Sequence, residues 1–104
     1  MKVLVEGHRY ELENFENKQA VGQVVQFIQK QPVTTGSSDL VTISDGTTNE
    51  EVLAVLINRM NSLQAKFPCR ENAIATTHLE TALLWLEKRT ADRKARGVEG
   101  KNVK

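Results

Sequence analysis

Residues 1–46 alternate apolar and polar side chains, whereas residues 47–97 repeat apolar side chains every three or four positions. The first pattern is that of strands with one covered face, the second that of helices with one covered stripe. Val3 and Val5 share a face, Glu6-Gly7-His8 has turn chemistry, and Tyr10 and Leu12 alternate with charged residues. Residues 2–6 and 9–14 therefore read as a β-hairpin. Asn14 to Gly22 is polar and reads as a loop. Residues 23–31 mix β-branched residues, Phe27 and glutamines and read as one strand, although Ala20–Lys30 also fits a helix. Pro32 to Ser38 is rich in turn formers, and residues 39–44 complete a small antiparallel sheet.

Asp45-Gly46 ends the sheet. Thr48 with Glu51 three residues later forms a capping box and opens a helix. Its apolar stripe is Val52, Leu56, Met60, Leu63 and Phe67, widened by Leu53 and Ile57, and Pro68 stops it. A second helix runs from about Arg70 to Arg96, with Ala75, Leu79, Ala82, Leu83 and Leu86 as its main apolar face. Gly97 supplies the C-terminal cap. The short break at Phe67-Pro68-Cys69 makes the helices an antiparallel hairpin. The expected fold is thus α+β in a single domain: a small N-terminal antiparallel sheet (1–46), a two-helix hairpin (47–97) and a loose basic tail (98–104). Ile74, Leu84 and Trp85 add apolar surface to the second helix beyond its main face. They fit either the sheet or a subunit interface.

Composition narrows the class. With 104 residues, 39% apolar and 26% charged, the chain is one globular domain and not a disordered segment. So short a chain buries a limited fraction of its surface, and association would help it. Cys69 is the single cysteine, so no internal disulfide forms and a reducing compartment fits. No apolar run reaches membrane-spanning length, and the first residues lack a signal-peptide apolar stretch; a cytoplasmic location is expected. The net charge is +1, but it is uneven. Residues 1–86 hold 7 basic and 10 acidic side chains, and residues 87–104 hold 7 basic and 3 acidic ones. A basic end on a neutral body suggests an anionic partner, unless Lys and Arg there merely complement the helix dipole.

Catalytic constellations are lacking. His8 and His78 fall in different halves, and no CxxC or HExxH spacing is present. Cys69, near a helix start, is either a nucleophile or a small capping residue. Gly46-Thr47-Thr48 precedes a helix, but Glu50 and Glu51 would repel a phosphate there. No metal and no cofactor are expected. Residues for binding are more apparent. Arg70 opposes the dipole at the start of the second helix, which suits an anion held there, or else a pair with Glu71. Trp85, Arg89, Arg93 and Arg96 share a helical face, an aromatic ring followed by guanidinium groups. That set suits a nucleotide, with the ring stacking a base and the forks holding phosphates, or else a core Trp beside solvated arginines. Thr77 and Thr81 extend the same face.

Four stretches, Thr47-Thr48-Asn49-Glu50-Glu51-Val52, Phe67-Pro68-Cys69-Arg70-Glu71-Asn72, Trp85-Leu86-Glu87-Lys88-Arg89-Thr90 and Arg96-Gly97-Val98-Glu99-Gly100, resemble the phage Thoeris anti-defence sponge family. Val3-Leu4-Val5-Glu6-Gly7 and Tyr10-Glu11-Leu12-Glu13-Asn14-Phe15-Glu16 agree with its sheet portion. The helical hairpin is similar to that of phage anti-CBASS proteins, which capture cyclic oligonucleotides. The resemblance implies a homo-oligomer, dimer or hexamer, that holds glycocyclic ADP-ribose at subunit interfaces without cleaving it. Cyclic trinucleotides at a separate site are a further implication. By motif position it implies Arg70, Arg89 and Arg93 for phosphates and Phe67 or Trp85 for adenine stacking. Asn72 and Thr77 would meet ribose or base edges, and Gly97 or Gly100 would let the tail close over the ligand. The alternative is a small phage nucleic-acid-binding protein that uses the basic second helix, although the near-neutral charge disfavours it. A protein-docking inhibitor is a third reading, and a signal-degrading enzyme the least supported.

Overall fold

Five short strands precede two long helices in the computed structural model, which describes residues 1–103. The fold is α+β. Two compact units divide the chain, Met1–Thr48 and Asn49–Lys104.

In the first unit, β1 (Lys2–Val5) turns through Gly7 into β2 (Arg9–Glu11), which pairs antiparallel with β3 (Val24–Gln26). A second, two-stranded sheet joins β4 (Gln29–Pro32) to β5 (Leu40–Ser44). The strand expected over residues 23–31 is therefore two strands in two sheets. The reason is non-local. At Phe27 the backbone leaves the first sheet: its N–H donates to the His8 carbonyl at 2.7 Å, while Ile28 N–H donates to the Thr47 carbonyl at 2.9 Å. Thr47 N–H returns a bond to the Gln26 carbonyl at 2.8 Å. Gly46 permits this approach, since a Cβ there would stand 2.4 Å from the Gln26 carbonyl oxygen. Its role is therefore close packing as well as ending the sheet. Tyr10 and Phe27 meet edge to face at 6.1 Å. The loop after β2 is ordered by Asn14, whose Nδ2 donates to the carbonyls of Asn17, Ala20 and Val21.

The second unit is the helical hairpin. α1 (Asn49–Lys66) and α2 (Arg70–Ala95) have the bounds expected from Thr48, Pro68 and Gly97. Cys69 is the N-cap of α2: its Sγ accepts the Asn72 N–H at 3.4 Å. Gly97 follows the C-cap with φ +72°, the left-handed conformation that ends helices.

The seam between the helices differs from the apolar stripes expected. On α1 the covered positions are Glu50, Leu53, Ile57, Met60 and Gln64, with Val52, expected in the stripe, half-buried beside them. On α2 they are Asn72, Thr76, Leu79, Leu83, Leu86, Thr90 and Arg93. Both sets alternate steps of three and four, the heptad spacing that keeps a seam facing its partner. Leu56 and Leu63 flank this seam, and Phe67 is 80% exposed. Ala75 and Ala82 are exposed, and polar Thr76 takes their place beside the leucines. Thr76 is buried at little cost because its hydroxyl donates to the Asn72 carbonyl at 2.8 Å. Ile74, Leu84 and Trp85 point away from the seam, the latter two 64% exposed. Among the described residues no apolar side chain is fully buried, and no helix is long and apolar enough to cross a membrane.

The segment after Gly97 is not loose. It turns back on α2: Val98 N–H donates to the Arg93 carbonyl at 3.0 Å, and Lys101 N–H to the Val98 carbonyl at 3.0 Å. Arg93 in turn donates to the carbonyls of Val98, Lys101 and Val103. Lys104, counted in the basic tail, lies outside the described residues.

Candidate functional site

The last three turns of α2 carry an open depression of about 660 Å³ lined by Trp85, Lys88, Arg89, Asp92, Arg93, Ala95 and Arg96. Helical periodicity assembles it. Trp85, Arg89 and Arg96 follow at steps of four and seven, so they stack along one side of the cylinder, opposite the seam residues Leu83 and Leu86. Placing cations here suits the negative end of the helix dipole, so the lining is stable before any ligand arrives.

Four cationic side chains face one carboxylate. Lys88 is already engaged: its Nζ lies 2.9 Å from Asp92 Oδ2, an exposed i,i+4 pair. Such a pair contributes roughly 0.3–0.5 kcal/mol and opens readily. Neither Arg89 nor Arg96 has an ion-pair partner among the described residues. The depression thus combines an exposed indole with two guanidinium groups that have no ion-pair partner among the described residues. Ring stacking and charge-assisted hydrogen bonds are the interactions it offers.

Of the residues expected from sequence to share a site, the depression gathers Trp85, Arg89 and Arg93. The others lie elsewhere. Phe67 and Arg70 are exposed at the tip of the hairpin, where Arg70 opens α2 and makes no ion pair with Glu71 among the described residues. Asn72 is half-buried in the seam near that tip, facing α1. Thr77 is exposed further along, its hydroxyl donating to the Ala73 carbonyl at 3.1 Å. Nineteen residues of helix separate Arg70 from Arg89, about 28 Å at 1.5 Å per residue, so the two groups are distinct places on one hairpin.

Sequence reading left out Lys88, although its place three residues after Trp85 puts it on the same side of α2. Nothing in the sequence pointed to the backbone carbonyls that surround Arg93. Arg93 is 8% exposed and closes the seam as well as one wall of the depression. His8 and His78 fall in separate units, and no three metal-ligating side chains converge among the described residues. Cys69 is exposed with its sulfur engaged as a cap.

Residues 23–91 match the Acb2/Tad1 hairpin domain, a span that takes in β3 to β5, α1, most of α2 and, of the depression's lining, Trp85, Lys88 and Arg89. The chain belongs to the Acb2/Tad1 hairpin family. Within that family it is similar to Thoeris anti-defense 1 of Bacillus phage SBSphiJ7, with 52% identity over 62 residues. The match covers 59% of this chain and 44% of the relative, so the chain spans less than half the length of that protein. The resemblance noted from sequence thus holds at the level of the Acb2/Tad1 hairpin.

Proposed function

We propose that this Acb2/Tad1 hairpin protein is a phage anti-defence sponge: it binds a cyclic ADP-ribose-type signal, glycocyclic ADP-ribose, and holds it uncleaved in the host cytoplasm. The observation that carries the reading is an exposed indole, Trp85, in one depression with the guanidinium groups of Arg89 and Arg96, which have no ion-pair partner among the described residues. Adenine suits the ring and a diphosphate suits the guanidinium groups. The relative's name, an anti-defence protein of a phage, points the same way.

What the depression offers supports capture rather than turnover. Its lining holds cations, an aromatic ring and one carboxylate that is already paired with Lys88. Suppression by capture is stoichiometric and needs slow release, which in turn needs enclosure. One hairpin gives an open wall. A second copy packed antiparallel would bring its tip, with Phe67 and Arg70, toward the Trp85 end of the first. That arrangement reunites the two residue groups that lie about 28 Å apart on one chain. It would also cover Leu84, Trp85 and Val55, which are more than 60% exposed. A homodimer, alone or as the unit of a hexamer, is therefore the proposed working form, and cyclic trinucleotides are candidates for a second ligand class.

Isothermal titration with glycocyclic ADP-ribose, followed by heat release and mass analysis of the ligand, tests this reading. Saturable binding with the ligand returned intact supports it. Absence of binding overturns it for this signal, and recovery of a cleaved product overturns capture. The alternative, nucleic-acid binding through Lys88, Arg89 and Arg96, predicts an affinity that collapses with salt because many phosphates are contacted. A diphosphate in a depression gives a shallow salt slope.

A further inference from the structure

Arg93 is the one buried charged side chain among the described residues, and it faces no carboxylate there. Its guanidinium is surrounded instead by main-chain oxygens. Nη2 donates to the carbonyls of Val98 at 3.0 Å and Lys101 at 2.8 Å, and Nη1 donates to that of Val103. A guanidinium grips a phosphate through one of two forks, Nε with Nη2 or Nη1 with Nη2, because the third edge is blocked by Cδ. Both forks use Nη2, and two carbonyls claim its two hydrogens. In this conformation Arg93 lends the depression its charge but offers an incoming phosphate no fork.

We infer that residues Val98–Val103 form a strap that competes with ligand phosphate for Arg93, so that the site binds at full strength only when the strap lets go. The inference rests on the capture reading above and specifies how the same site is regulated. Exchange favours the ligand once it is present. A phosphate oxygen carries the charge opposite to the guanidinium, so its bond adds a Coulomb attraction and a bidentate geometry that the neutral carbonyls lack. Water offers no such gain, so the strap stays closed without ligand. The ties that join it to α2 include the Val98 N–H bond to the Arg93 carbonyl and an exposed Lys94–Glu99 pair at 3.9 Å, both of the kind that opens readily. The path of the strap depends on Gly97 and Gly100, both in the left-handed region, with φ +72° and +75°. Gly100 sets the turn that brings Lys101 and Val103 back to Arg93.

Gly100→Val tests the strap within the full-length chain. A Cβ at this position meets nothing within 4 Å, so the substitution acts through the backbone angle and leaves the depression's lining intact. Gly36→Val is the control, since Gly36 is also left-handed (φ +81°) with open space but lies in the other unit. With glycocyclic ADP-ribose as the probe, Gly100→Val should bind at least about threefold tighter than wild type, the gain expected when a mostly closed state is opened. Gly36→Val should match wild type. In wild type, ligand should also speed hydrogen exchange at the Val98 and Lys101 amides, which the closed strap protects. If wild type binds and Gly100→Val binds no tighter, or those amides slow with ligand, the strap is overturned and capture stands. If neither protein binds, the capture reading falls and the strap with it.

Discussion

Gln64 grips the main chain of Cys69 with both ends of its side-chain amide. Nε2 donates to the Cys69 carbonyl at 2.9 Å, and Oε1 accepts the Cys69 N–H at 3.1 Å. The last turn of α1 thereby fixes the residue that caps α2, and the Phe67-Pro68 corner is set by a side chain that belongs to neither turn nor cap. Gln64→Ala removes both bonds. Each contributes about 0.5–1.5 kcal/mol, so the thermal midpoint should fall by several degrees. Gln64→Glu keeps the acceptor, loses the donor and should fall between the two. Equal melting curves for all three proteins would show the grip to be idle.

Arg89 lies on the open side of α2 with no ion-pair partner among the described residues. Arg89→Ala should weaken glycocyclic ADP-ribose binding by about 10- to 100-fold, the cost of a lost charge-assisted hydrogen bond of roughly 1.5–3 kcal/mol. The double variant Arg89→Ala/Arg93→Ala should abolish binding while leaving the oligomer intact by sedimentation. Undiminished affinity in the double variant would remove both residues from the site.

Leu84 is 64% exposed and contributes nothing to the seam within one hairpin. If its face is covered by a second copy, Leu84→Glu should lower the solution mass measured by light scattering without loss of helical circular dichroism. A mass identical to wild type would exclude this face from the subunit contact.

Gly46→Ala should destabilise the first unit. The added methyl would stand 2.4 Å from the Gln26 carbonyl oxygen and 2.7 Å from the Phe27 carbonyl carbon, both backbone atoms. The segment must shift, at a cost of about 1–3 kcal/mol. Thermal melting followed at the strand signal is the readout, and an unchanged midpoint would contradict the close approach.

Helix ends were legible because they depend on local chemistry. Thr48, Pro68 and Gly97 each act on the backbone within a residue or two. The seam was less so. A search for apolar spacing finds Leu79, Leu83 and Leu86 but passes over Thr76, Thr90 and Arg93, whose polar groups are satisfied by backbone oxygens or remain at the margin of the seam. The split of residues 23–31 depends on bonds from Phe27 to His8 and from Ile28 to Thr47, partners about twenty residues away on either side. No window along the chain contains both. Among the site residues, Trp85, Arg89 and Arg93 share a side of α2 by spacing alone. Spacing does not show that Arg93 is turned toward carbonyls, nor that Asn72 belongs to the seam, because one helical step of 100° separates a residue that lines the depression from one that is covered.

That angular step also fixes what α2 tolerates in its length. Leu86, Thr90 and Arg93 hold their register only while the count of residues between them is kept. A single insertion there would swing everything beyond it by 100°. Arg93 would turn out of the seam and carry its ring of carbonyls with it, and Arg96 would rotate away from Trp85 in the same movement. Near-neutral insertions in this helix are therefore those of seven residues, which restore every facing within about 20°. The largely exposed Thr34–Ser38 turn between β4 and β5 has no such arithmetic, and added length there should leave the helical facings unchanged.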